Sequence, residues 1–220
     1  MKSYIGTNKN IRPDKEPFRP KGNRKYIAFF KPYGVLCQFG QPRPTEGAKL
    51  NAPQKETLAA FDFPPRVYPL GRLDTDSEGL LLLSDDGDLN DILLHPRNAH
   101  TRTYFSQVER IPEEADLKKI EQDSFKQVQA KLLSSEPNLP PRPDHAPIRF
   151  RKNIPTAWIS ITMTEGKNRQ VRKMTAAIGY PTLRLVRVAI GKLLLRNLDL
   201  APGEWKYLGP NELNLVLNQA

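Results

Sequence analysis

Gly71-Arg72-Leu73-Asp74-Thr75-Asp76-Ser77-Glu78-Gly79-Leu80-Leu81-Leu82-Leu83 sets an acidic, glycine-bounded loop directly against four leucines. Four consecutive apolar residues leave no polar side for water, so Leu80–Leu83 reads as a short buried strand. Gly79 and the turn Asp85-Asp86-Gly87 bound it. A carboxylate in such a loop is held rigidly at a strand edge, where it can act as nucleophile or general base. Asp74, with Arg72 two residues before it, is the candidate. The same pattern also serves as a solvated acidic turn. Asp76 and Glu78 suit local turn and capping roles as well as they suit a second acid.

Outward from this loop, strands and helices mix without a regular βαβ alternation. Lys25–Phe30 reads as the first strand, followed by a turn at Pro32-Tyr33-Gly34. The proline- and glycine-rich residues 40–53 read as a long loop, and Pro53 as the opening of a short helix to Ala60. Asp88–Leu94 is a helix candidate stopped by Pro96, and Thr103–Val108 a strand. Pro112-Glu113-Glu114 starts a helix to about Gln122, with acids at the positive end of its dipole. Lys126–Leu133 is a further strand candidate. Residues 137–147 hold five prolines and read as a loop. Ala157–Thr164 alternates as a half-buried strand. Asn168–Ile178 places Val171, Met174 and Ile178 on one helical face and stops at Gly179 and Pro181. Leu183–Val188 and Lys192–Leu195 are the last strands. The expected class is α+β.

The 220 residues carry 34 Lys or Arg against 24 Asp or Glu, a net charge of +10. That balance points to a polyanionic partner, with nucleic acid the commonest. One cysteine, Cys37, excludes an intramolecular disulfide and a multi-cysteine zinc site, and His95, His100 and His145 lack metal-type spacing. The sequence has neither an apolar run of membrane-spanning length nor a signal-peptide core, so the expectation is a soluble, cytoplasmic protein. The charge is unevenly placed. Residues 1–25 hold eight Lys or Arg against two acids, a net of +6, and residues 1–24 read as a disordered basic arm. Residues 142–187 hold ten Lys or Arg against two acids, whereas residues 72–91 hold seven acids against Arg72 alone.

Two more motifs bear on chemistry. Thr164-Glu165-Gly166-Lys167-Asn168-Arg169-Gln170-Val171-Arg172-Lys173-Met174 brings four cations to the start and outer face of a short helix. Guanidinium groups beside free backbone N–H groups suit phosphate, although a solvated basic face has the same composition. Arg102-Thr103-Tyr104-Phe105 puts a tyrosine beside a basic residue on a strand, where it can stack on an RNA base or sit half-buried.

In this order, and with Phe30-Lys31-Pro32-Tyr33-Gly34-Val35-Leu36 ahead of them and Gly179-Tyr180-Pro181 leading into Leu183, Leu185 and Arg187 behind, the motifs resemble the RsuA-like pseudouridine synthases of ribosomal RNA. The resemblance spans about residues 25–208. It implies a mixed, largely antiparallel sheet flanked by helices, with the site in a central cleft. It also implies an arm at 1–24, a catalytic domain at 25–208 and a tail at 209–220. Only about 24 residues precede the domain, which is the layout of a large-subunit branch without an S4-type RNA-binding domain.

Residue by residue, the resemblance makes Asp74 the catalytic aspartate, Arg72 a residue that displaces the target base, and Tyr104 the tyrosine that packs on flipped uracil. Arg172 becomes the cation paired with Asp74, and Leu185 the apolar floor beneath the base. Arg102 stands where the family usually has Lys, which keeps the charge but not its geometry. Lys31, Arg102, Lys167, Arg169, Lys173, Arg184 and Arg187 are the expected RNA contacts. The implied substrate is 23S ribosomal RNA, handled by a monomer without cofactor or metal. A non-catalytic RNA-binding assembly protein on the same fold would share the basic surfaces but has no need of Asp74, Tyr104 and Arg172 together. A glycoside hydrolase using Asp74 with Asp76 or Glu78 lacks a sugar platform.

Overall fold

The computed structural model describes residues 22–41, 55–122, 128–143, 146–149 and 151–217. Most of the basic arm, the segment 42–54 with Pro53, and residues 123–127 therefore lie outside the described residues. Nine strands form one sheet: β1 (Tyr26–Lys31), β2 (Tyr68–Pro69), β3 (Glu78–Ser84), β4 (Arg102–Glu109), β5 (Val128–Leu132), β6 (Thr156–Met163), β7 (Thr182–Ile190), β8 (Leu193–Leu194) and β9 (Trp205–Tyr207). The helices are α1 (Gly87–Leu94), α2 (Glu114–Gln122), α3 (Gln170–Ala177) and α4 (Pro210–Leu217). The main strand order is β5-β6-β4-β7-β3-β1-β9, with β2 beside β3 and β8 beside β7. Among these ladders only β3–β7 is parallel, so the class is α+β with a mixed, largely antiparallel sheet.

The leucine run explains the centre. Leu80 and Leu82 face a cluster with Ala28, Phe30, Leu89, Leu93, Ile190 and Leu213, while Leu81 and Leu83 face Ile27, Phe29, Val35, Leu58 and Val67. Both faces of β3 are covered, so every leucine of the run is buried, each contributing roughly 1.5–3 kcal/mol. A separate cluster under β4, β5 and β6 gathers Val108, Leu117, Ile120, Ile159, Ile161 and Val171.

The two halves of the sheet meet at the short parallel ladder, where Glu78 pairs with Val186 and Gly79 with Arg187. Gly79 has φ +105°, and a Cβ there would lie 2.3 Å from the Arg187 carbonyl oxygen. Only glycine allows this approach. The ladder is two pairs long.

Residues 209–220, expected as a tail, include α4, whose Leu213 and Val216 are buried in the first core cluster. Glu212 accepts from the Gly209 N–H at 2.7 Å and closes the start of this helix. The expected helix opening at Pro53 is represented among the described residues by a single 3-10 turn, Leu58–Phe61, capped by Thr57.

Candidate active site

The loop before β3 is tied down along its length by the segment after β1. The Gly34 N–H donates to the Thr75 carbonyl at 2.8 Å, and the Leu73 N–H to Cys37 Sγ at 3.3 Å. Lys31 Nζ donates to the Ser77 carbonyl at 2.8 Å and to the Pro32 carbonyl at 2.9 Å. The Ser77 N–H closes the turn on the Asp74 carbonyl at 3.0 Å. Expected as an RNA contact, Lys31 is fully buried instead and works as a strut beneath the loop. Burial pushes its ammonium down to about 8, with Arg187 adding to the fall, although Cys37, Glu78 and Asp76 act the other way.

The three acids of the motif end in three environments. Asp74 keeps 32% of its side chain exposed, and its nearest cation is Arg169, with Nη1 3.7 Å from Oδ2. Asp76 receives a two-pronged pair from Arg169 at 2.9 and 2.8 Å. Arg172 donates to the Asp76 carbonyl at 2.7 Å and lies 3.4 Å from its carboxylate. Burial alone would raise the Asp76 carboxyl, but the Arg169 hydrogen bonds and the charge of Arg172 hold it below the usual range. Glu78 is sealed between Arg142, at 2.8 Å, and Arg184, at 2.7 Å. Arg142 also lies over the Tyr33 ring, 4.1 Å from its centroid.

This arrangement corrects several expectations. Arg172 pairs with Asp76 rather than with Asp74, because α3 directs it at the backbone and carboxylate two residues further along the loop. Arg184, expected on the RNA, is buried in the ion cluster around Glu78 and also donates to the Pro140 carbonyl at 2.7 Å. Arg187 is not on the outer surface either: it is 3% exposed, donates through Nε to the Leu80 carbonyl at 2.7 Å and reaches only the cavity of the cleft. Asp76 and Glu78 are both held by guanidinium groups, which leaves neither as a free second acid.

A cavity of about 590 Å³ opens in the cleft, within the roughly 300–1,000 Å³ usual for ligand sites. Asp74 and Arg72 stand in its wall together with Tyr104, Leu185, Arg102 and Arg187. Tyr104 faces Arg187 across the β4–β7 ladder, and Ser106 faces Leu185. Cross-strand partners share a face, as do residues two apart on one strand, so Tyr104, Leu185 and Arg187 form one floor. A second cavity of about 330 Å³, walled by Tyr33, Cys37 and Gln38, shares Arg72, Leu73, Asp74 and Arg169 with the first. Asp74 thus stands where the two meet.

Of the remaining expected contacts, Lys167 and Arg169 are exposed at the rim and line the cavity, and Lys173 is exposed on α3. Arg102 lines the cavity but donates to the carbonyls of His100, Leu93 and Thr164. The sequence reading missed the roles of Arg142 and Cys37. Nothing local marks Arg142, which comes from the proline-rich loop after β5. Among the described residues, no group of His, Cys, Asp and Glu could hold a metal ion, and no helix is long and apolar enough to cross a membrane.

An acid loop, a basic helix start and a tyrosine floor therefore converge from distant parts of the chain on one cleft. A model of the RNA pseudouridylate synthase family matches residues 25–177. The chain belongs to that family. It is an isomerase acting on RNA, and the expected synthase fold is the observed one. Ribosomal large subunit pseudouridine synthase E of Xanthomonas campestris pv. campestris is 46% identical over 182 residues, spanning 80% of this chain and 91% of that protein. The protein of that name in Vibrio parahaemolyticus is 45% identical over 189 residues, spanning 84% of this chain and 74% of its own. Ribosomal large subunit pseudouridine synthase B of Bacillus subtilis is 33% identical, spanning 86% and 69%. A solved pseudouridylate synthase superposes with a TM-score of 0.64 over 88% of this chain and 74% of the other, at 23% identity, a likeness of fold.

Proposed function

We propose that this synthase converts a specific uridine of 23S ribosomal RNA to pseudouridine in the cytoplasm, as a monomer, with Asp74 as its catalytic carboxylate. The observation that carries this reading is the contrast among the three acids of one loop. Asp76 and Glu78 are locked by guanidinium groups, while Asp74 stands half-exposed at the junction of two cavities. Relatives named for the large ribosomal subunit support the substrate.

The reaction breaks the C1′–N1 bond of uridine, turns the uracil, and joins C5 to C1′. C5 loses its hydrogen as a proton and N1 gains one, so no redox partner or group donor enters the balance. The base must leave its stack to reach a floor inside the cleft. Arg72, exposed at the mouth, fills the space it leaves. Tyr104 packs on the extruded uracil and Leu185 supports it from below. A carboxylate beside the ribose has two routes, attack at C1′ or removal of the C2′ proton, and either begins with the Asp74 carboxylate. Arg169 holds the Asp74–Asp76 pair from the rim, and Arg172 fixes the loop through Asp76. Lys167, Arg169 and Lys173 are placed to meet phosphates flanking the target.

The test is to map pseudouridines in ribosomal RNA from cells with and without the gene. One 23S position should lose its modification when the gene is absent and regain it with the wild-type copy. An unchanged 23S map would overturn the substrate assignment.

A further inference from the structure

The floor of the main cavity carries a cation that has no task in the reaction so far. Arg187 is 3% exposed. Its Nε is engaged by the Leu80 carbonyl, and its Nη2 has no hydrogen-bond partner among the described residues. A buried guanidinium with an unused donor is costly unless a ligand supplies the acceptor. The neighbouring Arg102 cannot supply one, since it is itself a cation already donating to three carbonyls. Burial and the charge of Arg187 both pull the Arg102 guanidinium below its ordinary range.

Register fixes where that donor lies. Arg187 is the cross-strand partner of Tyr104 and sits two residues beyond Leu185 on β7, all three on one face. The exposed cations at the mouth are placed for phosphates, whereas Arg187 lies at the depth of the base. We propose that the Arg187 guanidinium donates to the uracil carbonyl remote from the ribose and thereby selects uridine over cytidine. This inference rests on the assignment of Tyr104 and Leu185 to the flipped base.

The chemistry gives that position a particular use. In uridine the carbonyl opposite the glycosidic bond is O4. Turning the ring by a half-turn about the axis through N3 and C6 exchanges N1 with C5 and C2 with C4. The carbonyl opposite the new C1′–C5 bond is then O2, in the place O4 held. One fixed donor therefore meets a carbonyl oxygen in substrate and in product. That hydrogen bond breaks and reforms as the ring turns, so it orients the uracil at the start and at the end of the rotation. Cytosine presents a 4-amino group there, and arginine has no acceptor to offer it. A site with a buried donor left unmatched rejects the analogue strongly.

The experiment uses the full chain and an RNA fragment that the wild type converts, with uridine or 4-thiouridine at the target position. Turnover is read as release of tritium from C5, which reports either base. Sulfur accepts hydrogen bonds weakly, so wild type should lose about tenfold or more in kcat/KM on 4-thiouridine. Arg187→Met should be slower on uridine and show no further loss on 4-thiouridine. Arg187→Lys, which keeps a donor, should retain part of the penalty. Wild-type turnover of 4-thiouridine as fast as uridine overturns the proposal, whether or not Arg187→Met folds. So does an equal thio penalty in wild type and Arg187→Met. An equal loss of Arg187→Met on both RNAs with a shallower salt dependence would make Arg187 a phosphate contact instead. If the wild type converts no uridine in any large-subunit fragment, the functional reading itself fails and this inference falls with it.

Discussion

Asp74 and Glu78 stand four residues apart on one segment, and the fold treats them in opposite ways. Glu78 opens β3 at the junction of the two half-sheets, where Arg142 and Arg184 close over it and leave 4% of its side chain exposed. Asp74 stays on the loop, with one guanidinium 3.7 Å away and a cavity on either side. A carboxylate enclosed by two cations has its charge fully used in holding the molecule together. A carboxylate with one distant partner keeps an oxygen for a substrate. The contrast separates the acid that holds the cleft from the acid that works in it.

Breaking the enclosed side should have the largest effect on folding. Glu78→Gln leaves two buried guanidinium groups short of a counter-charge, and loss of one member of such a cluster costs about 3–5 kcal/mol. Denaturant unfolding would read that directly, and a loss below about 1 kcal/mol would show that Glu78 is not the keystone of the junction.

Next comes Lys31, the strut under the loop. Its folded value is about 8 against an ordinary 10.5. Between those values the folded protein holds it neutral while the unfolded chain is still protonated, so unfolding takes up a proton. The stability of wild type relative to Lys31→Met should therefore rise as pH climbs from 8 to 10.5, by up to about 3 kcal/mol. A difference that stays flat across that window contradicts burial of the ammonium.

Asp76 sharpens the comparison from between the two extremes. It touches Arg169, which caps the start of α3, and Arg172 within that helix, and has no oxygen free of them. Asp76→Asn should lower kcat by about ten- to a hundredfold through misplacement of Asp74, with little change in KM or in unfolding midpoint. A large rise in KM with kcat intact would place Asp76 on the RNA rather than behind Asp74.

The smallest effect belongs to residues 1–24, which lie almost entirely outside the described residues. Their net charge should appear as salt-dependent RNA affinity. Deleting them should flatten the slope of log affinity against log salt by roughly 0.7–0.9 for each phosphate the arm had neutralised, with kcat unchanged. Identical slopes would mean that the arm neutralises no phosphate.

The same contrast explains what could be read from the sequence. Leu80–Leu83, the alternation in Ala157–Thr164 and the spacing of Val171 and Met174 report burial through apolar pattern, and β3, β6 and α3 lie there. Asp74 and Tyr104 were visible as motif residues, and the cavity wall holds both. Charge carries no such pattern. Lys31, Arg184 and Arg187 look in sequence like the cations of an RNA surface, yet all three are buried. Their partners are Ser77, Glu78 and Leu80, which are 46 to 107 residues away along the chain. Only the sheet order, which brings β1 and β7 to either side of β3, makes those partners neighbours. The pairing of Arg172 with Asp76 rather than Asp74 is a matter of one turn of loop geometry, finer than spacing can resolve. The packing of α4 went unread because eight residues after a Gly-Pro turn carry too short a pattern to show which face is buried.

The central claim is that Asp74 is the working carboxylate, and Asp74→Asn tests it most directly. The substitution keeps size and hydrogen-bonding capacity and removes the charge. On a 23S fragment modified by the wild type, single-turnover pseudouridine formation should fall below detection, while RNA affinity is equal or tighter and the unfolding midpoint is within about 1 kcal/mol of wild type. Measurable conversion by Asp74→Asn, at a rate within tenfold of wild type, would contradict the account.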